Sequence, residues 1–409
     1  PLDIRTRRGT VYLTGAGTSR DMLTIAADRA LAAAEVIVHD DLLDQGMLDN
    51  YPGEKIPVGK RGGAQSADQD AINALLYRAA CEGKRTVRLK GGDPSLFGRL
   101  GEELEYLGRR LITVEVIPGV SSALAAAAGA GFPLTQRGIS ASVSFTTAQR
   151  ADGSVPGPEP ETCVYYMGAG KRAEIAGRLR ESGRHDGTPV ALVSDAGTMR
   201  ERTIITDIAH MAEADTASPV IIVAGDVVGR RYAQERYLFT GLEPEHSSVR
   251  VPGRVVHYPL IRIVELPDAE DVHPAAFDAV VFTSRNAVRI FMKRHHRLPP
   301  HVFSVGQATA AALRAYGISS ESPPRANADS LAAMLRTSPY RSILYPSSAI
   351  SANAVHALET VRRIDCYTTE PLAQPRLDLN SFAGVVFTAP STVRAFHAVY
   401  GAFPEHLVY

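Results

Sequence analysis

Residues 88–103 read RLKGGDPSLFGRLGEE. A short apolar strand runs into two glycines, an acid and a proline, and a helix opens beyond Phe97 and Arg99. Paired glycines at a strand end let a ligand lie against bare backbone. Asp93 adds an acceptor at that point, and Pro94 fixes the turn. Arg99 and Glu102 stand three apart, so a helix puts them on one face. Two glycines alone would suit a tight strand-to-helix turn. Gly-Gly-Asp-Pro followed by Phe-Gly-Arg is harder to explain as a turn and points to a binding loop.

Other groups with chemistry flank this loop. Asp40 ends the strand Val36–His39, and carboxylates at the carboxyl ends of parallel strands tend to line a ligand crevice. A cap for the following turn is the competing reading. VGKRGG at 58–63 is a glycine-rich basic loop, or else a solvated surface turn. Lys60, Arg61, Arg88, Lys90, Arg99 and Arg137 near strand ends would together suit a polyanionic substrate. Gly15-Ala16-Gly17 follows the first strand but lacks the third glycine of a dinucleotide fingerprint, so NAD binding is rejected. A Walker A pattern, a zinc-spaced cluster and a Gly-x-Ser-x-Gly elbow are all missing from the sequence.

These groups need a scaffold. With about 100–200 residues per domain, a chain of 409 residues holds several domains, each able to bury a core. Lys+Arg and Asp+Glu balance at 44 each, which argues against a general nucleic-acid or membrane binder. Cys81, Cys163 and Cys366 show neither metal-ligand nor redox spacing, and a reducing cytoplasm is expected. The longest apolar runs are too short to span a bilayer, and residues 1–8 do not read as a signal peptide.

Strand-like stretches at 10–14, 36–39, 86–89 and 113–117 alternate with helical ones at 20–34, 69–82, 100–108 and 121–130. Such alternation predicts an α/β fold with a mostly parallel sheet. Residues 142–147 start another strand, and 151–161, rich in proline and glycine, read as a linker. A second lobe follows, with strands at 162–166, 189–193 and 219–224 and a helix at 171–182. The polar stretch 241–254 is the expected main linker. Beyond it lies an internal repeat, AVVFTSRNAVRIF at 279–291 and GVVFTAPSTVRAF at 384–396. Each copy reads as a buried strand, a polar turn and a helix start. Between the copies, 302–305 and 342–345 read as strands and 309–316 as a helix. The two Thr-containing turns are candidate cleft edges; a duplicated fold without binding is the alternative.

Residues 9–230 resemble the uroporphyrinogen-III C-methyltransferases of the tetrapyrrole methylase family. The motifs are VYLTGAG (11–17), HDDLL (39–43), VGKRGGAQSADQDAIN (58–73), RLKGGDPSLFGRLGEE (88–103), VIPGVSSALAAAAGAGFPLTQRG (116–138), YYMG (165–168), TPVALV (188–193) and SPVIIVAGDVV (218–228). The resemblance implies a two-lobed methylase fold over 9–240, with lobes at about 9–147 and 162–240. It implies S-adenosyl-L-methionine as methyl donor, S-adenosyl-L-homocysteine as product and no metal. Donor contacts would fall on Gly91, Gly92, Asp93, Leu96, Ser121, Ser122, Met167 and Gly197. The proton acceptor would be Asp40 and the proton donor Lys60. Arg99, Glu102 and Arg61 would serve the substrate. A homodimer acting on small tetrapyrroles is implied, with no nucleic-acid or membrane partner. The chain departs from the family at Thr18-Ser19-Arg20-Asp21, His39, Asp41, Gln65 and Ala148-Gln149. Those changes bear on the entrance loop more than on the donor site.

Residues 255–409 resemble uroporphyrinogen-III synthase through PLIRI (259–263), FDAVVFTSRNAV (277–288), VFSVGQATAAAL (302–313), ILYPSSA (343–349), DCYTTEP (365–371) and VVFTAPSTVRAF (385–396). That family is two-lobed and α/β. It closes hydroxymethylbilane into uroporphyrinogen III without a cofactor. Tyr367 matches the tyrosine proposed to assist loss of the hydroxyl, with an ordinary strand tyrosine as the alternative. Thr283, Ser284 and Thr388 match the cleft turns. This half is expected to be incomplete, because the family's opening strand and helix should precede Pro259 and a further unit should follow the second repeat copy. The joint expectation is a bifunctional enzyme that makes uroporphyrinogen III and methylates it twice to precorrin-2, the branch point toward sirohaem and cobalamin. The alternatives are a methyltransferase with an inactive synthase half and a non-catalytic tetrapyrrole-binding module.

Overall fold

Apolar residues at alternate strand positions build the first sheet. In the computed structural model, the described residues are 8–40, 45–58, 69–148, 160–232, 235–244, 249–267 and 272–409. The elements in chain order are β1 (Thr10–Gly15), α1 (Ile25–Ala32), β2 (Val36–His39), β3 (Glu54–Pro57), α2 (Gln69–Cys81), β4 (Thr86–Lys90), α3 (Leu100–Gly108), β5 (Thr113–Ile117) and α4 (Ser122–Ala130). The strands pair in the order β3-β2-β4-β1-β5, and every pair is parallel. Parallel pairing brings the carboxyl ends of β1, β2, β4 and β5 to one edge, where Gly15–Gly17, Asp40, Gly91–Asp93 and Pro118–Ser122 gather. Side chains of successive strand residues point to opposite faces. Val87 and Leu89 therefore pack with Ala27, Leu31 and Ile37 on the α1 side. Val11, Leu13 and Val38 meet Ile72, Leu76 and Leu107 on the other. Each such leucine or isoleucine stabilises the fold by about 1.5–3 kcal/mol.

The helix predicted over 20–34 is shorter. A 3₁₀ turn at Arg20–Met22 comes first, and Thr24 then caps α1 by accepting from Ala27 N at 3.1 Å. A threonine hydroxyl at this position satisfies an otherwise orphaned backbone donor, so the α-helix begins behind it.

The second lobe contains β6 (Val143–Thr147), β7 (Thr162–Tyr166), α5 (Arg172–Glu181), β8 (Pro189–Ser194), β9 (Arg202–Asp207) and β10 (Val220–Ala224). Its order is β6-β7-β10-β8-β9, and only β6–β7 is parallel. The mostly parallel sheet predicted for this half thus holds in the first lobe and fails in the second. The short turn joining β8 to β9 allows only an antiparallel return. Most of the predicted linker at 151–161 lies outside the described residues.

The chain divides into two units, Pro1–Gln234 and Glu235–Tyr409. The second holds β11 (Arg236–Phe239), β12 (Arg254–His257), β13 (Ile261–Glu265), β14 (Ala279–Phe282), α6 (Arg285–Arg294), β15 (His301–Ser304), α7 (Gln307–Arg314), α8 (Ala328–Arg336), β16 (Ile343–Ser348), β17 (Val361–Pro371), β18 (Gly384–Val386) and α9 (Pro390–Tyr400). One sheet runs β12-β11-β18, all parallel; the other runs β13-β17-β16-β14-β15, with only β13–β17 antiparallel. The division falls ahead of the predicted linker at 241–254, because Arg236–Phe239 pairs with β12 and β18. Two strands therefore precede Pro259, where the sequence reading has only polar chain. Both repeat copies fold as strand, turn and helix, one copy in each sheet. Among the described residues, no helix is long and apolar enough to cross a membrane.

Candidate active site

Four glycines let the chain after β1, β4 and β5 meet backbone on backbone. Gly17 and Gly92 exchange hydrogen bonds, Gly17 N to Gly92 O at 3.1 Å and Gly92 N to Gly17 O at 2.7 Å. A Cβ on Gly119 would stand 2.2 Å from Gly92 O, and one on Gly15 would stand 2.6 Å from Gly119 N. Backbone cannot yield to such contacts, so only glycine fits. Gly92 also has φ +68, a conformation that side chains disfavour. A Cβ there would point toward Ser122 N at 3.6 Å and Ser121 Cα at 3.8 Å. The bare Gly92 backbone therefore faces the start of α4.

Asp93 braces these loops. Its Oδ1 accepts from Ser95 N at 2.8 Å and from the Ser95 hydroxyl; its Oδ2 accepts from Gly119 N at 2.9 Å. Partial burial pushes its pKa up, but the Ser95 and Gly119 hydrogen bonds outweigh this and hold the carboxyl below its usual range. Leu96 N donates to Asp93 O at 3.3 Å, which closes the turn.

The second lobe reaches this point through β7. Ser121 Oγ lies 2.5 Å from Tyr166 OH, and the Phe97 ring lies 5.0 Å from the Tyr166 ring. Met167 follows with φ +57 and is half exposed. The structure thus brings Gly92, Ser121, Ser122 and the Tyr166–Met167 corner together. Tyr166 and Phe97 are not among the sequence candidates, although both lie inside quoted motifs. Gly197, after β8, packs against the β1 loop: its φ is +74, and a Cβ would stand 2.1 Å from Thr18 Oγ1.

Asp40 ends β2, as expected, and its Oδ1 accepts from Arg88 Nη2 at 2.5 Å. Arg88 and Lys90 do not line an open basic trough, which corrects the polyanion reading for both. β4 alternates its side chains, so Arg88 and Lys90 share the face beneath α2 and α3. Their side chains are only 4% and 5% exposed, and both pair with Glu103, at 3.3 Å from Arg88 Nε and 2.7 Å from Lys90 Nζ. Burial depresses the Lys90 pKa more than the Glu103 charge restores it. Glu103 escaped the sequence reading; the signal was two basic residues on one face of a buried strand, which demand an acidic partner. Lys60 and Arg61 lie outside the described residues. Arg137 is exposed.

Arg99 opens α3 with φ +57 and grips Glu102 with both ends of its fork, Nε at 2.8 Å and Nη2 at 2.6 Å. The Arg99 hydrogen bond holds the Glu102 carboxyl below its usual range. At this exposed edge the pair is ready to exchange partners with another carboxylate.

In the second unit, Tyr367 on β17 donates to Ser284 Oγ at 3.0 Å. Ser284 caps α6 by accepting from Asn286 N at 3.1 Å. Thr283 Oγ1 lies 2.8 Å from Tyr345 OH, which also accepts from Asn353 Nδ2 at 2.8 Å. The structure therefore joins Tyr367, Ser284 and Thr283 and adds Tyr345 and Asn353, which sequence reasoning missed as site residues. Burial raises the Tyr367 pKa, against a smaller lowering from Ser284, so the phenol keeps its proton. Thr388, in the second repeat copy, packs instead on Gly241: a Cβ there would stand 2.5 Å from Thr388 Oγ1. Among the described residues, no group of three or more His, Cys, Asp or Glu is placed to hold a metal.

Residues 10–212 match the family of tetrapyrrole (corrin/porphyrin) methylases, and residues 251–407 match uroporphyrinogen-III synthase HemD. The chain is 40% identical over 230 residues to a uroporphyrinogen-III C-methyltransferase of Pseudomonas aeruginosa, covering 54% of this chain and 94% of that protein. It is 42% identical over 236 residues to a siroheme synthase of Chromobacterium violaceum, covering 54% of this chain and 50% of the relative. The chain thus spans about half the length of the siroheme synthases it matches. A solved uroporphyrin-III C-methyltransferase of Thermus thermophilus, complexed with S-adenyl homocysteine, is 36% identical with a TM-score of 0.48, covering 54% of this chain and 93% of that one.

Proposed function

The chain belongs to the tetrapyrrole methylases through its first unit and carries a uroporphyrinogen-III synthase HemD domain in its second, and from this premise we propose that it methylates uroporphyrinogen III with S-adenosyl-L-methionine to give precorrin-2. The observation that carries the reading is the convergence of bare Gly92 backbone, the Ser121–Ser122 helix start and the Met167 corner at the strand ends. These residues fit the donor: glycine leaves room beside Ser121 and Ser122, and Met167 adds an apolar wall. Bound there, S-adenosyl-L-methionine supplies an electrophilic methyl on a sulfonium. Gly91, Gly92, Leu96, Ser121, Ser122, Met167 and Gly197 bind and orient it, and Asp93 keeps the loop in shape.

The electron-rich substrate needs chiefly positioning, and after attack a proton must leave its ring. Asp40 accepts that proton. Arg88 holds the Asp40 carboxylate in place and, being always charged, cannot take the proton itself. Lys60 is the proton donor in this scheme. Arg99, Glu102 and Arg61 meet the substrate's carboxylates, which compete with Glu102 for the Arg99 fork. In the second unit, Tyr367 donates its phenolic proton to the departing hydroxyl of hydroxymethylbilane, with Thr283 and Ser284 beside it and Thr388 at the turn of the second repeat copy.

The test is incubation with hydroxymethylbilane, with and without S-adenosyl-L-methionine. Precorrin-2 formed from the bilane supports both activities. Methylation of supplied uroporphyrinogen III alone supports a methyltransferase with an inactive second unit. Binding without turnover would defeat the enzymatic reading.

A further inference from the structure

Beyond the contact of Arg88 with Asp40, the buried charges beneath β4 have no place yet in the chemistry. Arg88, Lys90 and Glu103 are all at least 95% buried, yet ion pairs at such depth seldom stabilise more than apolar packing would. Glu103 even leaves Oε2 buried without a hydrogen-bond partner among the described residues, which costs stability. The arrangement is nevertheless specific. Glu103 Oε1 accepts from Arg88 Nε at 3.3 Å, Lys90 Nζ at 2.7 Å and Gln69 Nε2 at 3.3 Å. Arg88 Nη1 donates to Leu89 O at 3.2 Å and Val38 O at 3.5 Å. With Nε and Nη1 so fixed, the planar fork presents Nη2 in one place, and there it meets Asp40 at 2.5 Å. Asp40 is the only member of the cluster with appreciable exposure, at 30% of its side chain.

We propose that Arg88 and Glu103, with Lys90 and Gln69 behind them, are positioning residues that hold the Asp40 carboxylate at the substrate-facing end of β2. The contacts run outward to Asp40: Lys90 and Gln69 fix Glu103, Glu103 fixes Arg88, and Arg88 fixes Asp40. Two cations and two anions balance, so the cluster buries no net charge. Arginine is needed in the middle because its rigid fork contacts two carboxylates at once, whereas lysine offers a single point charge. The depressed Lys90 pKa reflects the burial required to reach Glu103 from below.

This inference rests on Asp40 as the proton acceptor, and the experiment separates the two. Methyl transfer to uroporphyrinogen III is measured in the full chain for Arg88→Lys, Glu103→Gln and Asp40→Asn, and for each double variant with Asp40→Asn. S-adenosylhomocysteine affinity is measured in parallel by calorimetry. The expected result is a fall in kcat of about tenfold or more for Arg88→Lys and Glu103→Gln, with KM and homocysteine-product affinity unchanged. In the Asp40→Asn background neither substitution slows the enzyme further, because both act through the missing carboxylate. Multiplying effects in the doubles, or an equal loss of donor affinity, would overturn the positioning role while leaving Asp40 as the base. A normal rate in Asp40→Asn would overturn the base assignment itself, and the positioning role with it. If Arg88→Lys fails to fold, the near-isosteric Glu103→Gln carries the same test alone.

Discussion

The two units bury different chemistry beside their candidate sites. The first buries charge: Arg88, Lys90 and Glu103 lie beneath the sheet edge and only Asp40 reaches out. The second buries two tyrosines and pairs them with half-buried neutral groups: Tyr367 with Ser284, and Tyr345 with Thr283 and Asn353, form two short neutral chains. An ionic cluster fixes a base in one place and resists rearrangement, because every move strands a charge. A hydroxyl chain can turn its protons around, so the same atoms donate or accept as a reaction proceeds. The first suits repeated proton removal and the second suits release of a hydroxyl. If the contrast is real, the units should break in different ways.

The largest effect is expected at Asp40. Asp40→Asn should slow methyl transfer by roughly 10²- to 10⁴-fold, with Lys60→Ala also impaired, while donor affinity is kept. Cyclisation of hydroxymethylbilane by the same variants should proceed at the normal rate. Loss of both activities would mean that the substitution harms the fold rather than the chemistry.

Gly92→Val comes next. The substitution forces a β-branched residue into φ +68 and fills the space facing Ser121 and Ser122. S-adenosylhomocysteine affinity should fall by at least about tenfold, roughly 1.4 kcal/mol. Unchanged affinity by calorimetry would remove the donor site from this loop.

Much of this contrast is legible in the sequence, and the exceptions share a cause. β1 and the repeat strands β14 and β18 declare themselves as apolar runs ending in glycine or threonine turns, β2 as an apolar run ending in His39-Asp40, and β4 by the glycine pair that follows it. β9, β11 and β12 do not: each begins with arginine, and only pairing with their neighbours makes them strands. Gly91–Asp93, Ser121 and Met167 are recognisable because they belong to compact motifs. Arg88 and Lys90 are recognisable as basic but not as buried, since burial depends on Glu103 and Gln69 arriving from two different helices. Tyr345 and Asn353 are hidden for the same reason: a contact across 62 residues to Thr283 leaves no local pattern.

A smaller effect should separate the two tyrosines of the second unit. Tyr345→Phe removes two part-buried hydrogen bonds, to Thr283 and from Asn353, each worth about 0.5–1.5 kcal/mol. Tyr367→Phe removes one hydrogen bond to Ser284, worth about 0.5–1.5 kcal/mol. Urea denaturation should therefore rank Tyr345→Phe as the less stable, while only Tyr367→Phe slows cyclisation strongly. The reverse ranking of activity would make Tyr367 a structural strand residue.

The smallest expected effect is a difference in sign at alkaline pH. Burial raises the Tyr367 pKa above its ordinary 10.0. Between that value and the raised one, the unfolded chain loses the phenolic proton while the folded chain keeps it. Its contribution is thus complete below pH 10.0 and is lost as the pH climbs through the folded value. Lys90 runs the other way. Its folded pKa lies below 10.5, so in the interval between them the unfolded chain binds more protons, and the penalty of burying the charge fades as the pH rises toward 10.5. Relative to Tyr367→Phe, the parent chain should lose stability from about pH 9 to about pH 11; relative to Lys90→Met, it should gain. Denaturation midpoints of the three proteins across that interval check both slopes. Parallel slopes would show that the first unit does not bury Lys90 as a charge, and the contrast between an ionic and a neutral site would fall with it.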